Sequence, residues 1–295
     1  MKQAVFAVVC AAAFGMINGM PVSAAGTPRN PDTCSMDLVK PIPARAVKAK
    51  LGSRFVKDIL RVSGSARDAA ITDQVLAGNI PDFLRHLIPV TFNAMQKNGK
   101  AVEVTICVTP DYMSVGAERD FVRVPMGLPA AAKIADKLGF LLPTTKMVDA
   151  IYAQAEVHLA PEPMTPGAQM QSTDYFIRHN KTINQQRDKS GLALTALTAG
   201  QKKDLVLSNR LRSKPGRVAI YGWHRMNGEA IQPLSTVHGE GYADYSHGVR
   251  LVSMTAFVNG KPTSLPKILQ DPELAPIVSS EGPINHSRRL VASLR

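Results

Sequence analysis

The sequence predicts an α+β protein, with a helical N-terminal half packed on a mainly antiparallel C-terminal β-sheet. Three observations carry this reading. Apolar residues recur at helical spacing through much of the first half. Alternating, β-rich runs take over in the second half. Hydrophobic residues make up 45% of 295, enough for a large core and too many for a disordered chain.

The elements follow in order. Residues 1–25 read as a secretory signal peptide: Lys2, an apolar run over 4–17, then small residues up to Ala25, where cleavage is expected. One α+β domain is expected over 26–295, beginning with an extended arm at 26–46 that holds Pro28, Pro31, Pro41 and Pro43. Helices are expected at 47–60 and 66–76, followed by a short one through Phe83, Leu84 and Leu87. Residues 102–108 alternate as a strand, and 121–124 read as its partner. Pro129 opens a helix that Gly139 closes. A second helix spans 145–155, capped by Thr144 or Thr145. A connector with Pro161, Pro163 and Pro166 leads to a polar helix at 169–188. Strands are expected at 203–208, 217–223 and 249–258, with turns at Asn227-Gly228 and Asn259-Gly260. A short helix at 265–270 precedes a basic tail with His286, Arg288, Arg289 and Arg295.

Composition narrows the function. The chain carries 35 Lys+Arg against 23 Asp+Glu, a net charge of +12. These cations are spread along the chain, which for an exported protein points to anionic envelope polymers rather than nucleic acid. No P-loop, Gly-x-Gly-x-x-Gly, His-Glu-x-x-His or EF-hand loop occurs, so no nucleotide partner is expected. No transmembrane segment is expected in the processed chain. Loss of Cys10 with the signal leaves Cys34 and Cys107. In an oxidising compartment the two form one disulfide, or Cys107 is a buried inert thiol; both readings stay open.

The chemistry concentrates late in the chain. Three of the seven histidines, His224, His238 and His247, fall close together beside the only tryptophan, Trp223. Their roles would be imidazole base or metal ligand, with Asp244 orienting or ligating. Ser246 is a candidate nucleophile, and Lys203 and Asp204 enter the catalytic group from the start of a strand. Trp223, Tyr242, Tyr245 and Arg250 are candidate substrate contacts. Zinc is a possible cofactor, held by His224, His238, His247 and Asp244, with Glu240 as base. Lys146 and Asp149 share a helix face at i, i+3 and are weaker candidates.

Two segments are similar to enzyme signatures. Ser246-His247-Gly248-Val249-Arg250-Leu251 looks like the Ser-His-Gly-Cys-x-Arg-Leu signature of L,D-transpeptidases, which act on peptidoglycan. The cysteine nucleophile is absent, so the likeness extends only to Ser246, His247, Gly248 and Arg250. His238-x-x-Gly241-x-Ala243-Asp244 and Trp223-His224 are similar to zinc-ligand segments of D,D-carboxypeptidases, in reversed order and with the aspartate one residue too close. The chain as a whole resembles a group of uncharacterised secreted bacterial proteins. Lys146-Met147-Val148-Asp149, Tyr221-Gly222-Trp223-His224 and the segment from Asp244 to Leu251 carry that resemblance, which implies no particular activity.

The expected function is therefore an exported hydrolase, secreted or periplasmic, acting on a cell-envelope or extracellular polymer through a His-rich site on the C-terminal strands. The alternative is a non-catalytic binding or structural protein. Convergence of the imidazoles on one point separates the two.

Overall fold

The computed structural model describes residues 31–287. The expected signal segment, the first residues of the arm and the tail from Arg288 lie outside the described residues.

The described part of the arm is not simply extended. It holds two short 3-10 turns, Pro31–Cys34 and Met36–Val39. Then come α1 (Gly52–Asp58), α2 (Gly64–Leu76), β1 (Ile88–Met95), β2 (Ala101–Val108), β3 (Ser114–Ala117) and β4 (Asp120–Arg123). Next are α3 (Leu128–Leu138), β5 (Phe140–Leu141), α4 (Thr145–Ala153), β6 (Val157–His158) and α5 (Thr173–Asp188). The later strands are β7 (Thr198–Ala199), β8 (Lys203–Leu205), β9 (Ile220–His224), β10 (Ala230–Ser235) and β11 (His247–Gly248). The described chain closes with β12 (Val252–Ser253), β13 (Thr255–Val258), β14 (Lys261–Ser264), α6 (Leu265–Gln270) and α7 (Ala275–Val278). The fold is α+β with mainly antiparallel sheets.

The largest sheet runs β14-β13-β2-β12-β5, with β1 also paired to β2. Its centre, β2, comes from the first half of the chain and its neighbours β12 and β13 from the last quarter. Val104, Ile106 and Val108 on one face of β2 and Thr105 and Cys107 on the other are all buried, so the strand is covered on both sides. The partner expected for this strand was wrong. Residues 120–123 instead form a hairpin with β3, while β2 pairs in full register with β1 from Ile88↔Val108 to Met95↔Ala101. Pro89, which has no N–H to give the ladder, sits near the start of β1.

Local signals fared better. Gly139 closes α3 in the left-handed region at φ 81, as a C-terminal glycine should. Asn259 (φ 49) and Gly260 (φ 74) form the two-residue turn between β13 and β14. Thr144 caps α4 by accepting from the Met147 N–H. Cys34 and Cys107 are bonded, tying the arm to β2 across 73 residues of sequence. A contiguous apolar core runs from Cys34 to Ile284.

The second sheet, β10-β9-β8-β11, positions the candidate site. β9 is antiparallel to β8, and β11 runs parallel to it, with His247 opposite Lys203 and Gly248 opposite Asp204.

Candidate functional site

The alternation of side chains along β9 breaks at Gly222 and Trp223, which lie at φ 104 and φ 57. A bulky residue at positive φ is an outlier that costs about 1–3 kcal/mol and persists only where its surroundings hold it. The consequence is a split. Tyr221 and His224 both reach the Asp149 carboxylate, whereas the Trp223 indole lies 5.0 Å from the Lys203 ammonium.

On the first side, α4 presents Asp149 to the end of β9. His224 Nε2 lies 3.0 Å from Asp149 Oδ1, and the Tyr221 hydroxyl donates to the same oxygen at 2.8 Å. A carboxylate only accepts, so Nε2 carries the proton and Nδ1 is the basic nitrogen. His224 is buried, and its ring stacks on Tyr152 at 4.6 Å. The other edge of Tyr152 meets His158 at 4.6 Å. These groups line a cleft of about 520 Å³, completed by Met226, Asn227 and Gly228 of the β9–β10 turn. Asp149 remains 50% exposed, so the dyad is open to solvent on its carboxylate side. Burial and the Asp149 carboxylate hold Tyr221 well above the ordinary tyrosine range, so it stays a donor.

Asp204 sits behind this dyad, fully inside the protein. Gly222 lies between them at φ 104, a conformation that favours glycine, and a Cβ there would press on Val148 Cγ1 at 3.2 Å. Burial pushes the Asp204 carboxyl up to about 6, against the opposing pull of Arg250 and Tyr112. The Tyr112 hydroxyl donates to Oδ2 at 2.8 Å, while Oδ1 has no hydrogen-bond partner among the described residues.

On the second side lies a sealed group. Asp244 Oδ1 accepts from the Ser246 amide at 2.7 Å and its hydroxyl at 2.5 Å, and Oδ2 accepts from the Tyr242 hydroxyl at 3.1 Å. His247 is wholly buried, 3.9 Å from Asp244 Oδ2, and neither ring nitrogen has a hydrogen-bond partner among the described residues. His238 stacks flat on Tyr242 at 4.0 Å, and both rings lie near His247. Burial holds His247 down to about 4, so it is neutral near pH 7. Burial alone would raise Asp244, but His247, Ser246 and Lys203 hold it below the ordinary carboxylate range.

Several expected roles are therefore corrected. The four-residue zinc set does not assemble, because His224 shares no contact with His238, His247 or Asp244. Among the described residues, no three His, Cys, Asp or Glu side chains come together to hold a metal. Ser246 is fully buried, with its hydroxyl spent on Asp244, which leaves it unsuited as a nucleophile. Trp223, Tyr245 and Arg250 are buried and not available as substrate contacts. Arg250 instead lies over the Tyr112 ring at 4.5 Å and donates to the Thr109 and Thr198 carbonyls. Tyr245 caps an aromatic group with Tyr175, Phe176 and Trp223. Lys203 is half-buried beside Trp223 and Asp244. Lys146 turns away from Asp149 and donates to the Pro276 carbonyl.

Sequence reasoning ranked Asp149 low and passed over Tyr152, Tyr221 and His158. Tyr152 lies at i+3 from Asp149, so its helix face was available as a signal. The place of His158, on a two-residue strand, was not. No family model, curated protein or solved structure matches this chain.

Proposed function

We propose that the protein is an exported hydrolase of a cell-envelope or extracellular polymer, with its acid–base chemistry on His224 and Asp149. One observation carries this reading: a buried imidazole, oriented by a carboxylate, forms the wall of an open cleft large enough for a polymer segment. His224 Nδ1 takes a proton from water as that water attacks the scissile carbonyl or acetal carbon. The imidazolium, stabilised by Asp149, then returns the proton to the leaving group, so the sum is addition of water across one bond. Tyr221 keeps the carboxylate in place. Tyr152, stacked on the imidazole, holds the ring in place. Export is supported by the character of residues 1–25 and by the Cys34–Cys107 bond, which suits an oxidising compartment.

The test is turnover of peptidoglycan, polysaccharides and carboxylic esters by the purified protein. His224→Ala and Asp149→Asn are each expected to lower kcat/KM about 10²–10⁴-fold on whichever substrate is cleaved. Activity equal to wild type in both variants would remove the dyad from the mechanism. Binding without turnover of any of these polymers would favour the non-catalytic alternative.

A further inference from the structure

A basic surface lies near the other end of the sequence. Residues 36–61 hold seven lysines and arginines against two aspartates. Asp37 pairs with Lys40, and Asp58 pairs with Lys50 and Arg54. Lys48, Lys57 and Arg61 are exposed and form no ion pair among the described residues. Arg54 and Lys57 share a face of α1 at i, i+3, and Arg61 follows in the turn just beyond it.

Apolar side chains stand among these cations. Val47 is 98% exposed, Leu60 49% and Met36 54%, three of the seven large exposed apolar residues among those described. A groove of about 540 Å³ adjoins them, floored by Met36, Val39 and Ile42 and edged by Lys40, Arg45 and Arg85. Arg45 joins the groove to the basic run, donating to the Ala49 and Lys50 carbonyls. Arg45 spends its donors on backbone carbonyls and the Asn79 amide oxygen, while Arg85 also pairs with Asp82, the one acidic residue at the groove's edge.

We infer that residues 36–61 dock the protein on an anionic lipid surface, with the cations on headgroup phosphates and Val47 and Leu60 inserted at the interface. Charge alone would suit any polyanion. Exposed aliphatic side chains set between lysines and arginines suit a bilayer, where the apolar tips leave water as the cations reach phosphate.

The experiment is co-sedimentation of the processed protein with vesicles. Equimolar phosphatidylglycerol and phosphatidylcholine are compared with phosphatidylcholine alone, at low and high salt. Binding to the anionic vesicles is expected, lost at high salt and absent on the neutral ones. The triple variant Lys48→Glu, Lys57→Glu, Arg61→Glu should lower the partition coefficient about tenfold or more. Val47→Ser with Leu60→Ser should lower it about threefold or more. All five positions are exposed, and an unchanged thermal midpoint identifies variants that keep the fold. No binding to anionic vesicles overturns the inference, as does wild-type binding by the charge variant. Wild-type binding by the Val47/Leu60 variant also overturns it, in favour of a soluble polyanion.

Discussion

His247 shows how far a residue's chemistry depends on its surroundings. In sequence it stands in a Ser-His-Gly segment like that of an enzyme, yet in the fold it is a neutral, enclosed ring. Gly248 beside it is explained by packing: a Cβ there would lie 2.5 Å from the Tyr112 ring, whose hydroxyl serves Asp204. The burial of His247 has a consequence for stability. The groups that face it are Asp244, His238, Lys203 and Lys202, and burial outweighs the one carboxylate among them. Because its folded pKa of about 4 lies below the ordinary imidazole value of 6.5, the unfolded chain binds the proton more readily. Its full contribution is present above pH 6.5 and is lost as pH falls toward 4, to a limit on the order of 3 kcal/mol. His179, held down to about 2 by burial and by Lys202 and Arg123, adds a loss of the same sign. Asp204, pushed up to about 6 by burial, acts in the opposite sense and offsets part of that loss. Urea midpoints are expected to be lower at pH 4 than at pH 6.5, with the His247 Cε1 proton shift flat above pH 5. Titration of that resonance near pH 6.5 would contradict the sealed environment.

Among the elements, α4 sets the candidate site. It carries Asp149 and Tyr152 on one face, and its start is fixed by Thr144. That hydroxyl accepts from the Met147 amide and donates to the Val278 carbonyl, so it both caps α4 and ties it to α7. Thr144→Ala removes both bonds in a buried place and is expected to cost about 2 kcal/mol, read from the urea midpoint. Thr144→Ser keeps the hydroxyl and should recover most of that loss. A cost below about 0.5 kcal/mol for the alanine would show that α4 is held by its apolar face alone. Strand β9 contributes the other half of the site, and its break at Gly222–Trp223 is what sends His224 and the indole to different partners. A regular strand would have placed Tyr221 and Trp223 together and His224 with Gly222.

At the scale of the whole molecule, the disulfide joins the arm to the central strand of the main sheet. Closing a loop of 73 residues removes unfolded-state freedom worth about 4 kcal/mol in the chain-entropy account. Reduction, or the paired change Cys34→Ala with Cys107→Ala, should lower the urea-derived stability by a comparable amount. A loss under about 1 kcal/mol would mean that the arm is held chiefly by the burial of Val39 and Ile42. Much of this architecture was legible in the chain, since caps, turns and periodicity are written in a few neighbouring residues: Gly139, Thr144, Asn259-Gly260 and the apolar face of α3. The α+β class follows from such local signals, and the two cysteines left after residue 25 made a single bond one of two open readings. Strand partnership was not legible, because pairing β2 with β1 rather than with 121–124 depends on which ladder the whole core can close. Nor was the division of the histidine group. Closeness in sequence placed His224, His238 and His247 together, but side-chain direction is set by backbone torsion, and positive φ at Gly222 and Trp223 turned His224 toward Asp149. The sequence by itself determined the α+β class and its local caps and turns; only the tertiary structure decided which side chains meet, because burial and contact depend on chain segments far apart in order.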